Sequence, residues 1–429
     1  MSKPMHTSSY YAATANYESD FPQLAGELTV DVCVIGGGFT GLSSALHLAE
    51  RGFSVALLEG QKVGWGASGR NGGLVCTGQR KGQGELEEML GEDDARRLWD
   101  YAEEAKATMR GLIDKHDIQC DYKPGILTCA YKKSHMPEIR EDVAHMNGKY
   151  GYDAMRVVEK DELRQMLATD MYHGACLDTD AAHLHPLNYA LGLAKACDQA
   201  GVKIFEGSPA QSLQSNTQGN VIRTEAGVIR ANYVVVACNG YLGRLEPRMA
   251  PKIMPINNFM IATEPLGEEG ARALIRDDVA IDATKFVVDY YRCSADHRLL
   301  FGGGENYSSK FPSDIKSFVR KYMLDVFPQL KDAKIDYGWG GTLAITLNRM
   351  PAFGRLENNI FYAQGFSGQG VLLTTMAGKV IAEAVSGTAE RFDVFARIPT
   401  PSFPGGTLLR YPGLVAGMLY YSMLDKLGK

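Results

Sequence analysis

The stretch Val30-Asp31-Val32-Cys33-Val34-Ile35-Gly36-Gly37-Gly38-Phe39-Thr40-Gly41-Leu42, continued by Val55-Ala56-Leu57-Leu58-Glu59, decides the fold. A β-branched apolar run enters a G-x-G-x-x-G turn. Helix-compatible sequence follows, with Leu42, Ala45, Leu46 and Leu48 on one face, and a second apolar run ends in Glu59. This order of strand, glycine turn, helix and strand is the one a dinucleotide needs. Gly36 permits the tight turn, Gly38 lets the backbone approach a pyrophosphate, and Gly41 lets the helix pack on the strand. Phe39 and Thr40 open the helix, whose free N–H groups and partial positive charge face the phosphates. Glu59 stands near the offset of about 20 residues at which an acid accepts hydrogen bonds from ribose hydroxyls. An acid there disfavours a 2′-phosphate and hence NADP, and leaves FAD or NAD.

Working outward, composition bounds the class. The chain has 429 residues, 45% hydrophobic and 22% charged, with a net charge of −5. That length accommodates two or three domains, and the balance is that of an ordinary globular protein. No basic footprint of a nucleic-acid binder is present. The eight cysteines form no C-x-x-C pair, and Cys33 and Cys238 read as small buried hydrophobes in strands, which suits a reducing, cytoplasmic setting. The first 22 residues lack a signal-peptide pattern, and no stretch is long enough without charges to span a membrane. Tyr411 to Leu427 reads as a C-terminal helix packed on the body.

Periodicity places helices at 84–116, from Ser134, at 161–167, 186–200, 312–327 and 371–386. Short strands between 202 and 237 read as a meander that ends at Cys238-Asn239-Gly240-Tyr241, a turn suited to lie along a dinucleotide. Strands at 126–131, 258–263, 286–291, 298–302 and 335–347 read mainly as a long antiparallel sheet. A last strand, 359–363, enters Gln364-Gly365-Phe366-Ser367-Gly368-Gln369-Gly370 and the helix from Val371. This second glycine turn faces the other end of the same cofactor. The expected fold class is therefore α/β with an α+β part: a Rossmann-like cofactor domain and a second domain of antiparallel sheet and helices. The boundaries are 1–80, 175–245 and 345–429 for the cofactor, and 81–174 and 246–344 for the substrate.

These separated motifs, with Gly64-Trp65-Gly66-Ala67-Ser68-Gly69-Arg70-Asn71-Gly72-Gly73, His185-Pro186-Leu187-Asn188 and Arg298-Leu299-Leu300-Phe301-Gly302-Gly303-Gly304, resemble the FAD-dependent D-amino-acid oxidase and glycine/sarcosine oxidase superfamily. Within it the pattern resembles the bacterial γ-glutamylputrescine oxidases, from Thr7-Ser8-Ser9-Tyr10-Tyr11 to Phe403-Pro404-Gly405-Gly406. The resemblance implies FAD and oxidation of a primary amine, a γ-glutamyl-polyamine such as γ-glutamylputrescine, to an aldehyde with release of ammonia and hydrogen peroxide. It places Gly66, Ala67, Ser68, Arg70, Asn71, Gly72 and Gly73 along the flavin, with Asn239, Gly240 and Gly341 close by. Gly365, Gly368, Gln369, Gly370 and Val371 then lie at the flavin C2 carbonyl, where the helix dipole favours the charge that develops on reduction.

Tyr290 and Tyr291 are candidate pocket walls, Arg292 a candidate carboxylate ligand, and Trp339, Phe366 and Gln369 candidate substrate-facing groups. An apolar, aromatic pocket favours the neutral amine that hydride transfer requires. Some superfamily members tether FAD through a Cys near 339–342; Gly340 and Gly341 stand here, so non-covalent FAD is expected. No Lys occupies Leu299–Phe301, which leaves molecular oxygen or a quinone or dye as electron acceptor. A D-amino-acid or N-methyl-amino-acid oxidase or dehydrogenase, a non-catalytic flavin-binding electron-transfer module and, more remotely, an NAD-linked dehydrogenase are the alternative readings. His183-Leu184-His185 presents no third ligand at zinc-like spacing, so no metal is expected and a structural role at the helix entry is.

Overall fold

The structure is a computed structural model that describes residues 5–216, 219–285, 288–306, 310–357 and 359–413. The chain moves between two sheets. It begins in the first with β1 (Gly26–Ile35) and β2 (Val55–Leu58). It crosses to the second with β3 (Leu74–Val75), β4 (Lys123–Cys129), β5 (Met155–Glu159) and β6 (Gly174–His183). It returns through β7 (Lys203–Phe205), β8 (Ser212–Asn216), β9 (Gly219–Arg223) and β10 (Gly227–Val236). It then supplies β11 (Met254–Thr263), β12 (Ala280–Ala283), β13 (Tyr290–Cys293), β14 (Leu299–Asn306) and β15 (Ile335–Ile345) to the second sheet, and ends in the first with β16 (Ala352–Leu356) and β17 (Ile360–Gln364). The main helices are α1 (Phe39–Ala49), α2 (Glu92–Lys115), α3 (Pro186–Gln199), α4 (Ile315–Val326) and α5 (Gly370–Val385).

The first sheet has the order β16-β17-β10-β1-β2-β7, with the β8–β9 hairpin extending from β10. Its central strands β17, β10, β1, β2 and β7 run parallel. Such strands are covered on both faces, which is why Val32, Cys33, Val34, Val55, Ala56 and Leu57 are all buried. α1 and α5 cover one face in close contact. A Cβ on Gly378 of α5 would stand 2.5 Å from the Ser43 Cβ of α1, and the Ser43 hydroxyl donates to the Thr375 carbonyl at 2.6 Å. Each Leu buried in this layer, such as Leu42 and Leu46, contributes about 1.5–3 kcal/mol.

The second sheet has the order β15-β11-β14-β13-β12-β4-β6-β3, with β5 on β6. One face packs on α4 through Phe259, Ile261, Tyr291 and Phe301 against Val319, Met323 and Val326. The other face carries Met260, Leu300, Trp339 and Tyr290 and packs with Leu187 and Leu191 of α3 and the N-terminal Tyr10 and Tyr11.

Several expected elements differ. The helix expected over 84–116 is two helices, because Gly91 adopts φ +85° and ends Gln83–Leu90 before α2 begins. The helix expected from Ser134 begins instead at Met136, after a 3-10 turn. The pieces 228–229 and 233–237 form one strand, β10, whose first half pairs antiparallel with β9 and whose second half pairs parallel with β17. The second sheet is not wholly antiparallel, since β12 lies parallel to β4. β3 and β6 pair in the second sheet, although both lie in stretches expected with the cofactor-binding part. Phe286 and Val287 of the expected 286–291 strand, and Tyr411 to Leu427 beyond residue 413, lie outside the described residues.

Candidate active site

A groove runs along the C-terminal edge of β1 and β2, lined by Gly36, Gly38, Phe39, Thr40, Glu59, Trp65, Gly66, Ala67, Ser68, Asn239, Tyr241 and Phe366. Its floor is made by residues that cannot carry larger side chains. Gly36 has φ +112°, and a Cβ there would stand 2.7 Å from the Ala237 carbonyl oxygen. A Cβ on Gly41 would meet the Gly36 carbonyl, so α1 starts hard against the turn. No side chain caps α1 from Gly38, and the Phe39 N–H donates to Ser68 Oγ at 3.0 Å. Glu59 accepts from the Gly37 and Gln61 N–H groups, each at 2.8 Å. A carboxylate has about four acceptor positions, so lone pairs remain for hydroxyls in the groove. Burial pushes the Glu59 carboxyl above its usual range. A glycine floor, a helix N-terminus and a sheltered acid together fit a dinucleotide.

The 64–73 loop folds over the end of this groove. The Arg70 guanidinium lies 4.0 Å from the Trp65 ring centroid, with Nε donating to the Trp65 carbonyl at 2.6 Å and Nη1 to the Gly340 carbonyl at 3.1 Å. Its Nη2 is buried and has no hydrogen-bond partner among the described residues. A buried cationic donor left open in this way suits an acceptor oxygen supplied from the groove. Asn71 ties the loop together: its Nδ2 donates to the Ala67 and Ser68 carbonyls at 3.0 Å, and its Oδ1 accepts from Gly73 at 2.8 Å. Gly341 packs beside the Arg70 stem, and Trp339 Nε1 donates to the Arg70 carbonyl at 3.0 Å. Trp339 is thus a support of the loop, 2% exposed, rather than a group open to substrate.

Asn239 adopts φ +46° and accepts from the Gly365 N–H at 2.9 Å, so the turn after β10 is tied to the turn before α5. Gly240 packs against the Thr342 and Leu343 carbonyls, and Val371 is buried in the first turn of α5. Gly368 adopts φ +94°, and Gly370 opens α5 after Gln369. The 365–370 turn therefore reaches both halves of the site. Phe366 lines the groove, whereas Gln369 lines a second cavity and donates through Nε2 to the Thr77 and Gly78 carbonyls at 3.1 and 3.3 Å.

Strand register places the candidate substrate-side residues on one face or the other. Cross-strand partners share a face, and the partners Cys176–Thr128–Asp282–Tyr290–Gly302–Met260–Trp339 cross six strand pairings as one row. Tyr290 is in the row, with its ring between Gly72 and Gly302: a Cβ on Gly72 would stand 2.7 Å from it, and one on Gly302 would clash with it. Its hydroxyl donates to Asn258 Oδ1. Tyr291, one residue on, points to the opposite face, where it stacks on Phe301 with centroids 5.3 Å apart. It is not a pocket wall. Arg292 is also corrected. It is 3% exposed and donates Nε to Gly72 O at 2.9 Å, Nη2 to Leu184 O at 2.8 Å and Nη1 to Cys293 O at 3.2 Å. It clamps the Gly72, Leu184 and Cys293 carbonyls and lines neither the groove nor the second cavity.

The second cavity has a volume of about 220 Å³ and is bounded by Thr77, Gln79, Arg80, Thr128, Asp142, Asp178, Asp282 and Gln369. Asp282, Gln79 and Arg80 are not among the residues expected from motifs. The available signal was a lone carboxylate inside the apolar run Ala280-Ile281-Asp282-Ala283. Cys238 follows β10 rather than lying within it, and burial pushes its thiol up to about 12. Burial likewise holds His183 and His185 down at about 3, hence neutral. His185 Nδ1 accepts from the Asn188 N–H at the start of α3, and His183 Nε2 bonds the Asp278 carbonyl at 2.7 Å. Among the described residues no helix is long and apolar enough to cross a membrane.

Comparison with known proteins agrees with this geometry. The chain is 45% identical over 424 residues to gamma-glutamylputrescine oxidoreductase of Escherichia coli strain K12, covering 99% of each chain. It is 24% identical to glycine oxidase of Bacillus subtilis strain 168, over 83% of this chain and 92% of that one. The crystal structure of glycine oxidase from Geobacillus kaustophilus superposes with a TM-score of 0.71 at 21% identity, covering 83% of this chain and 95% of that one. Residues 31–384 match the DAO family model, described as FAD dependent oxidoreductase. The chain belongs to the FAD-dependent oxidoreductases of the DAO family.

Proposed function

We propose that this enzyme oxidises the terminal primary amine of a γ-glutamyl-polyamine, with γ-glutamylputrescine as the representative substrate. The supporting observation is the 45% identity, over 99% of both chains, to a gamma-glutamylputrescine oxidoreductase. In this reading the Gly36–Gly41 turn and the start of α1 hold the pyrophosphate and Glu59 the ribose. Arg70 and the Ser68–Gly73 loop hold the isoalloxazine edge, and the Gly365–Val371 turn holds its C2 carbonyl. FAD is bound without a covalent link. Segments 1–80, 175–245 and 345–429 serve mainly the cofactor, and 81–174 and 246–344 the substrate.

FAD, when bound, supplies a two-electron acceptor. The chain's own contribution is to place and deprotonate the amine. The reacting nitrogen must arrive neutral, and the apolar, aromatic surroundings of the Tyr290 ring, packed between Gly72 and Gly302, would offer an ammonium little solvation and so favour loss of its proton. The overall change is amine plus water plus oxygen to aldehyde, ammonia and hydrogen peroxide, with two electrons leaving the C–N unit. With a quinone or dye in place of oxygen, the two electrons and two protons pass to that acceptor. Anaerobic addition of γ-glutamylputrescine to the yellow protein bleaches the flavin if the reading holds. Readmission of air then yields peroxide for an oxidase, and only added dye or quinone restores colour for a dehydrogenase. An intact flavin with every γ-glutamyl amine refutes the substrate.

A further inference from the structure

The cavity beside Gln369 is lined by none of the Gly36–Gly41 turn, Glu59 or the 64–73 loop. Its position is fixed by the sheet: Asp282 of β12 is the register partner of Tyr290 of β13, so it lies one strand, about 5 Å, from the residue packed on the flavin-side loop. The cavity volume of about 220 Å³ is several times the share of one water, about 30 Å³ in the liquid. It therefore has room for a small organic head group.

The unsatisfied groups in its wall are acceptors. Asp282 Oδ1 and Gln79 Oε1 are shielded from solvent and have no hydrogen-bond partner among the described residues. Gln79 is only 5% exposed, and its amide is oriented by Nε2 donating to the Leu98 carbonyl at 3.0 Å. Leaving two buried acceptors unmet is costly, so a ligand with several N–H donors is what the wall lacks. Asp178 and Asp142 add negative charge. Asp178 is held in place by the Tyr152 hydroxyl at 2.8 Å and by the Asp180 and Ala181 N–H groups. The guanidinium lining the cavity, Arg80, belongs to an exposed residue whose Nε donates to the Ser367 carbonyl at 3.1 Å; burial pushes the Asp282 carboxyl up, against the Thr128 hydrogen bond and the Arg80 charge. Lys81 and His145 also line the cavity but are paired with Glu85 and Glu87.

An acidic wall is unsuited to the nitrogen that reacts. A carboxylate beside an amine holds it as ammonium, whereas oxidation needs the neutral form. The wall instead suits a nitrogen that keeps its charge throughout. We propose that this cavity is a recognition site for the non-reacting α-ammonium of the γ-glutamyl head. Asp282 and Gln79 accept its N–H groups, and Arg80 faces the adjoining α-carboxylate. The inference rests on the γ-glutamyl-amine reading and adds to it which end of the substrate is read and by which residues. Asp282 acts here in specificity.

The test compares γ-glutamylputrescine with glutarylputrescine, the same molecule with hydrogen in place of the α-ammonium, on the FAD-loaded enzyme and its Asp282→Asn variant. The wild type should prefer γ-glutamylputrescine in kcat/KM by about tenfold or more, the value of a charge-assisted hydrogen bond. Asp282→Asn should abolish most of that preference. Calorimetry with γ-glutamylpropylamide, which lacks the oxidisable terminal amine, gives a readout apart from turnover. Its affinity should fall about tenfold or more in Asp282→Asn. Free putrescine, with an ammonium but no carboxylate, separates the head group from an alkyl diamine. A larger effect of the variant on putrescine than on γ-glutamylputrescine overturns the assignment. Equal use of the two conjugates by the wild type also overturns it, and needs no variant to fold. So does an equal loss on both conjugates in Asp282→Asn. If γ-glutamylputrescine leaves the wild-type flavin oxidised while another amine reduces it, the substrate reading itself fails, and the inference with it.

Discussion

Arg292→Met separates the structural account of this arginine from the expectation that it binds a substrate carboxylate. Methionine keeps an unbranched stem of similar reach but removes the donors to Gly72 O at 2.9 Å, Leu184 O at 2.8 Å and Cys293 O at 3.2 Å. Hydrogen bonds from a charged group are worth about 1.5–3 kcal/mol each. Relief from burying the guanidinium offsets part of this loss, so a net cost of about 3 kcal/mol is expected. Unfolding entropy near about 2.1 cal/mol/K per residue amounts to about 0.9 kcal/mol/K over 429 residues. The melting temperature should therefore fall by about 3 °C at saturating FAD. Gly72 packs on the Tyr290 ring, so release of its carbonyl loosens the loop, and FAD affinity should fall as well. Thermal melts at fixed FAD, flavin-release titrations and steady-state KM for the amine decide the matter. A KM raised about tenfold, the value of a lost bidentate pair, with an unchanged melting temperature and unchanged FAD affinity, would refute the clamp and restore the carboxylate role.

Gly302→Ala drives a methyl group into the Tyr290 ring. Overpacking costs about 1–3 kcal/mol, and displacement of the ring should lower kcat while leaving FAD content near wild type; unchanged kcat would show that Tyr290 does not border the reacting amine. Gly378→Val should empty the cofactor site, because its Cβ would stand 2.5 Å from Ser43 Cβ between α5 and α1; purification as a yellow, normally melting protein would contradict the packing. For His183 and His185, folded values of about 3 lie below the ordinary 6.5. The unfolded chain therefore binds protons first as pH falls, and stability is lost between about 6.5 and 3. At pH about 5 each costs about 2 kcal/mol. Urea unfolding at pH about 7.5 and 5 should show a shallower loss in a His183→Gln, His185→Gln double variant, and an identical slope would refute the buried neutral pair. Glu59 and Asp282 shift the opposite way and gain stability on acidification, so only the difference between wild type and variant isolates the histidines.

The cofactor half was legible because its determinants are local. Val30 to Glu59 contains the strand, turn, helix and acid in one span, and Gly36 and Gly41 answer to the end of the adjacent strand and to the turn itself. The reaction half depends on register, which local periodicity does not specify. Tyr290 and Tyr291 are equivalent in sequence, yet pairing of Tyr290 with Asp282 and Gly302 sends one toward the loop and the other into the α4 layer. The role of Arg292 is hidden from the sequence for a related reason. Its carbonyl partners Gly72 and Leu184 stand 220 and 108 residues away, and backbone acceptors carry no residue-type signature. Asp282 went unnoticed because a single acid in a short strand is ambiguous until its unpaired oxygen is seen.

The 365–370 turn links the glycine-floored groove to the second cavity. Gly365 is tied by its N–H to Asn239 at the edge of the groove, and Phe366 lines that groove. Three residues later Gln369 bonds the Thr77 and Gly78 carbonyls, at the start of the run through Arg80 that walls the cavity. Because Gln369 fixes main-chain carbonyls, side chains at 79 and 282 can change without loosening the turn, whereas Arg80 is itself tied to it through the Ser367 carbonyl. On the proposed reading, recognition of the amine's far end is thereby separated from the placement of its reacting carbon, and a change of substrate head group would fall on the side chains of the cavity wall rather than on the glycine-rich framework.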